Sequence, residues 1–116
     1  MERFNVIGVL GGTPALVARW MRVAPGRFIA GPDLRFDPAT GLARAATRAG
    51  APSHPLPVDS IRALHRGGAF VVLAEVMNQF AGLAPDDPLS EPYWAVAEEL
   101  DIPVGIHVGG GGPGEP

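Results

Sequence analysis

The sequence predicts an α/β fold of parallel strands joined by helical crossovers, and three of its features predict it. Apolar, β-branched runs of strand length begin near positions 4, 28, 70 and 104. Stretches with helical apolar spacing lie between those runs, and glycine or proline stands at almost every junction. Strands that alternate with helices pair in parallel, because each helix carries the chain back to the starting end of the sheet.

The first strand runs from Phe4 to Leu10 and closes on Gly11-Gly12. Thr13 then caps a helix that has Pro14 at its first position, where a missing N–H costs nothing. Leu16, Val17, Trp20 and Met21 share the apolar face of this helix, and Pro25-Gly26 ends it. Phe28 to Leu34 forms the second strand, interrupted at Gly31-Pro32. Ala39 to Ala49 reads as a short helix, after which Pro52 and Pro55 return the chain to extended conformation. A helix from Pro57 to Arg66 follows, with Ile61 and Leu64 turned inward, and Gly67-Gly68 stops it. The third strand, Phe70 to Ala74, is continuously apolar, as in a strand buried on both faces. Ser90 caps the last helix, EPYWAVAEELD, in which Pro92 is tolerated because it lies in the first turn and Tyr93, Trp94 and Ala97 serve as core. Val104 to Val108 is the fourth strand.

The order is therefore β-α-β-α-β-α-β, with crossovers of the right-handed kind. A parallel sheet needs helices on both faces or closure into a barrel. A complete (β/α)8 barrel takes roughly 250 residues. The 116 residues here match about half of one, a partial barrel of about four parallel strands with three to four crossover helices, in a single segment from 1 to 116. Such a segment has two unpaired edges, which predicts self-association, in the simplest case a homodimer.

Composition removes several classes of function. Hydrophobic residues make up 47% and charged residues 18%, which is the balance of a folded domain. The formal charge is −3, and the nine basic residues are all arginines with no basic block, so neither nucleic acid nor an anionic membrane is an expected partner. Without lysine there is no Schiff base and no lysine general base. Without cysteine there is no thiolate nucleophile, disulfide or sulfur ligand. The apolar run at the N-terminus is too short for a membrane span and lacks a cationic leader, so a cytoplasmic location is expected.

In α/β folds the functional groups sit at the carboxyl ends of the strands. Glu75 follows directly on FVVLA, and His107 stands near the end of VGIHV, 32 residues further on. That separation is one βα repeat, which puts the two on neighbouring strands and one rim. Adjacent strands lie roughly 4.8 Å apart, close enough for a carboxylate oxygen and an imidazole nitrogen to share a cation. The pair suits zinc, manganese or iron. The plainer role for these residues is a strand-end ion pair or a hydrogen bond to a nearby carbonyl.

The stretch AEVMNQFAGLAPDDPLSEPYWAVAEELDIPVGIHVGGGGPG, from Ala74 to Gly114, resembles the amidohydrolase superfamily, in particular its amidohydrolase-related (type 2) metal-dependent hydrolases. VAPGRFIAGPDLRFDP is similar to the second-strand region of the same group. The resemblance implies a distorted barrel whose rim binds one or two divalent metals, zinc first among them, that activate water for hydrolysis of a C–N, ester or related bond in a small-molecule substrate, or that support decarboxylation. It further implies that His107, in PVGIHVG, is the fifth-strand metal ligand and that Glu75, in AEV, is the fourth-strand ligand of some binuclear members. The His-x-His pair of the family's first strand is missing, and its later histidine and aspartate would fall beyond Pro116. This predicts a central barrel segment with weak metal binding and little or no hydrolysis of its own. The contrasting expectation is a free-standing open α/β module that binds a small molecule or protein without catalysis, with Glu75 and His107 incidental to it.

Other features are weaker. Gly8 to Gly12 precedes a helix as a phosphate cradle would, yet it fits neither dinucleotide nor P-loop patterns. GGGGPG, His54 in a proline-rich loop and His65 near a helix C-terminus read as backbone softness, a solvated side chain and a complement to the helix dipole.

Overall fold

The computed structural model describes residues 6–45 and 54–108, and the fold is α/β. The elements are β1 (Gly8–Leu10), α1 (Pro14–Val23), β2 (Phe28–Ala30), β3 (Leu34–Phe36), β4 (Ala43–Ala45), α2 (Val58–Arg66), β5 (Leu73–Val76), a 3₁₀ turn (Asn78–Ala81), α3 (Glu91–Glu99) and β6 (Val104–Ile106). One sheet pairs β1 with β2 in parallel. The other has the order β4-β3-β5-β6, with β3, β5 and β6 parallel and β4 antiparallel to β3. The Val71 N–H donates to the Ala30 carbonyl at 3.1 Å and ties the two sheets together, so the parallel strands stand side by side in chain order. Among the described residues they do not close into a barrel.

Thr13 caps α1 as its chemistry predicts: backbone in the extended region, side-chain oxygen accepting from the Leu16 N–H at 3.3 Å, Pro14 in the first turn. Only half of the predicted apolar face is covered, because Val17 is buried and Met21 partly so, whereas Leu16 and Trp20 stay exposed. Pro57 starts α2, and Ile61 is fully buried with Leu64 packed beside it. Ser90 precedes α3 with helical rather than extended backbone (φ −86°, ψ −19°), so its hydroxyl cannot reach the first-turn N–H groups and caps nothing.

The second strand breaks in two at Gly31-Pro32, where the sequence marks an interruption. Gly31 has no room for a side chain: a Cβ would lie 2.8 Å from the Val72 carbonyl oxygen and 3.2 Å from the Ala74 Cβ.

Residues 39–45 do not form the predicted helix. Asp37 turns the chain with its side chain, Oδ1 accepting from the Ala39 N–H at 2.9 Å. Gly41 adopts a left-handed φ of +67°, and the hairpin continues into β4 with Phe36 opposite Ala43 and Leu34 opposite Ala45. Helical composition loses here to an Asx turn and a left-handed glycine that fix a tight reversal. Residues 46–49 of the same prediction lie outside the described residues.

The third predicted strand is displaced. Phe70 is buried, but ladder pairing begins at Leu73 and runs to Val76. It is covered on one face only, since Leu73 and Val76 are buried while Glu75 is exposed.

The core gathers residues from both helices and strands, with Leu34, Ile61, Leu73, Val76 and Val96 fully buried. Each contributes about 1.5–3 kcal/mol relative to remaining in water. Tyr93 is the polar exception, as its hydroxyl accepts from the Ala43 N–H at 2.7 Å and donates to the Leu56 carbonyl at 3.2 Å. On the opposite face of the strands Val9, Ile29, Arg35 and Gly105 are exposed. Among the described residues no helix is long and apolar enough to cross a membrane.

Candidate functional site

The exposed face of the sheet holds a cleft of about 420 Å³ at the carboxyl ends of the strands. It is lined by Val9 and Gly11 of the first strand and its exit, Asp33 between β2 and β3, Ala74 and Glu75 of β5, and Gly105, Ile106 and His107 at the end of β6. Glu75 and His107, the two residues that strand-end placement singles out, meet here. The His107 N–H donates to the Val76 carbonyl at 2.8 Å, and Val76 pairs with Ile106 in the ladder, which puts both residues on one rim.

A bulge in β5 aims Glu75 into the cleft. Leu73 pairs with Val104 and Val76 with Ile106, so β5 advances three residues while β6 advances two. The extra residue breaks strict alternation, and Ala74 and Glu75 both face the cleft as a result.

There the His107 Nδ1 contacts the Glu75 Oε1. A carboxylate only accepts hydrogen bonds, so Nδ1 is the donor in this pair, and a cation held by both side chains would take the place of its proton. The Phe80 ring lies 5.4 Å from the imidazole and limits its rotation. The Arg35 guanidinium also sits 5.4 Å from the centre of the Phe80 ring.

Asp33 is the residue that the sequence argument missed. Its Oδ1 accepts the Glu75 N–H at 2.9 Å, and it lies so close to the first strand that a Cβ on Gly11 would fall 1.6 Å from that oxygen. Partial burial pushes its carboxyl above the ordinary aspartate range. The charge of Glu75 adds to that rise, while the hydrogen bond from the Glu75 N–H and the charge of Arg35 oppose it. The sequence signal is an acid directly after Gly31-Pro32, at the point where the second strand is interrupted.

The remaining candidates do other things. His65 places Nδ1 3.1 Å from the Phe70 carbonyl and its ring beside the Phe70 ring, fastening the exit of α2 instead of only complementing a dipole. His54 is exposed, and its carbonyl accepts from Ala45. Gly8 to Gly12 delivers Gly11 to the cleft. GGGGPG lies outside the described residues.

In kind, a carboxylate and an imidazole are the donors a zinc or manganese ion takes. In number they fall short of the three protein ligands usual for catalytic zinc: among the described residues no group of three or more histidine, aspartate or glutamate side chains converges on one point. The arrangement can therefore hold a proton between Glu75 and His107 or exchange it for a cation. No family model, curated protein or solved structure matches the chain.

Proposed function

We propose that this chain is a segment of a metal-dependent amidohydrolase-type (β/α)8 barrel in which Glu75 and His107 hold a divalent cation, zinc in the first instance. The observation that carries the reading is the meeting of Glu75 and His107 at the carboxyl ends of adjacent parallel strands, inside a cleft that opens from those ends. The resemblance of residues 74–114 to the type 2 group supports it. A bound cation would lower the pKa of water toward 7, the chemistry needed to hydrolyse a small-molecule substrate. The chain's own contribution is to gather the donors and to keep the imidazole in place against Phe80. With two protein ligands, binding is weak and hydrolysis by these residues alone is slight.

Titration calorimetry with zinc and with manganese tests this reading on the wild type, His107→Ala, Glu75→Gln and His54→Ala. The expected result is saturable binding that His107→Ala and Glu75→Gln weaken tenfold or more and that His54→Ala leaves alone. As the ion takes the place of the Nδ1 proton, that proton passes to Nε2, so the neutral imidazole changes tautomer with no net release of a proton. Equal binding by all four proteins, or none by the wild type, would return the cleft to the open α/β binding-module reading.

A further inference from the structure

We propose that Asp33 is the positioning residue of this site: by taking the Glu75 backbone N–H across the strand junction, it holds the β5 bulge in the register that points the Glu75 carboxylate at His107. The inference rests on the reading of Glu75 and His107 as the groups that hold the cation, and extends it to a residue that does not itself touch the ion.

Bulges leave backbone groups without their ladder partners. Ladder pairing of β5 with β6 is interrupted between Leu73 and Val76, and within that interruption the Glu75 N–H donates to the Asp33 Oδ1 at 2.9 Å. Asp33 stands at the junction of β2 and β3, on the side of β5 away from β6, so its side chain anchors the irregular stretch of β5 from the β3 edge, next to the Leu34–Val76 pairing. A carboxylate acceptor makes such a bond stronger than a neutral one would.

Asp33 is held from the other side too. Pro32 precedes it and fixes the local backbone. Gly11, at the exit of β1, leaves the space that its carboxylate occupies. The line Gly11–Asp33–Glu75–His107 therefore runs across the ends of the parallel strands in chain order, each member resting on the next. Carboxylate partners that orient a ligand in this way typically change metal affinity 10–100-fold when removed.

Two substitutions at Asp33 separate positioning from ligation. Asp33→Asn keeps an acceptor oxygen for the Glu75 N–H and loses the charge; Asp33→Ala loses both. Zinc titration of the full chain should give wild-type affinity within about threefold for Asp33→Asn and a loss of roughly 10–100-fold for Asp33→Ala. Gly11→Ala, which drives a methyl group into Asp33, should follow Asp33→Ala in direction. Wild-type affinity in Asp33→Ala would overturn the proposal. So would an equal loss in Asp33→Asn and Asp33→Ala, because charge or direct ligation would then be the cause. Nitrogen-15 spectra of the His107 ring give a reading without metal: the Nδ1 signal should move in Asp33→Ala and stay in Asp33→Asn. If the wild type binds no zinc, the metal reading fails, and the ring spectrum alone decides the positioning claim. A signal unmoved in Asp33→Ala refutes it.

Discussion

Replacing Tyr93 by phenylalanine removes one oxygen atom from the core and keeps the ring. That ring is 3% exposed and packs edge-on against Phe36, with centroids 5.1 Å apart, so the apolar packing survives the change. The hydroxyl bridges two segments distant in sequence: it takes the Ala43 N–H of β4 at 2.7 Å and gives its proton to the Leu56 carbonyl at 3.2 Å. Ala43 is fully buried. Without the hydroxyl, its N–H keeps no acceptor and water cannot reach it, which costs about 1–3 kcal/mol. The Leu56 carbonyl loses less, because it is a weaker claimant on a partner. A total near 2 kcal/mol follows from these terms, at the upper end for a single oxygen atom. For a chain of 116 residues, an unfolding entropy of roughly 2.1 cal/mol/K per residue gives about 0.24 kcal/mol/K, so the melting temperature should fall by about 8 °C. Urea unfolding followed by circular dichroism would report the same loss as a lower midpoint at unchanged slope. A change below about 0.5 kcal/mol, within the range of an ordinary surface substitution, would refute the claim that this hydroxyl joins the hairpin to the residues before α2.

Gly31→Ala should destabilise by about 1–3 kcal/mol in the same assay, because the added methyl meets the Val72 carbonyl oxygen at 2.8 Å and must displace backbone. Arg62 joins α2 to α3 through Glu99 and also contacts Asp59, and it pulls the Glu99 carboxyl below its usual range. A lowered folded-state pKa contributes stability above the ordinary glutamate value of 4.5 and loses it as pH falls through the lower folded value. Arg62→Ala should therefore lower the melting temperature slightly at pH 7, and the difference from wild type should vanish in acid and shrink in molar salt. Strands β1 and β6 lie at sheet edges, and Val6, Ile7 and Val9, before and within the first, are exposed; sedimentation should show association that grows with concentration, and a single monomeric species at all concentrations would contradict it.

What the sequence determined by itself was the alternation and the rim. Periodicity, Thr13-Pro14 and the paired glycines locate α1 and α2 closely, and a separation of one βα repeat is enough to bring Glu75 and His107 to neighbouring strand ends, since parallel strands joined by crossovers present equivalent positions on one edge. Local signals also held the β3–β4 hairpin, but they were spread over Asp37 and Gly41 and were outweighed by the alanines that follow. Three features had no local signal strong enough to read. The bulge between Leu73 and Val76 depends on how β5 meets β6; the Tyr93 bridge joins residues 50 and 37 positions apart; and Asp33 reaches Glu75 across 42. Each is a choice of partner for a backbone polar group. The sequence lists the groups that need partners, and only the packed strands decide which ones come within reach.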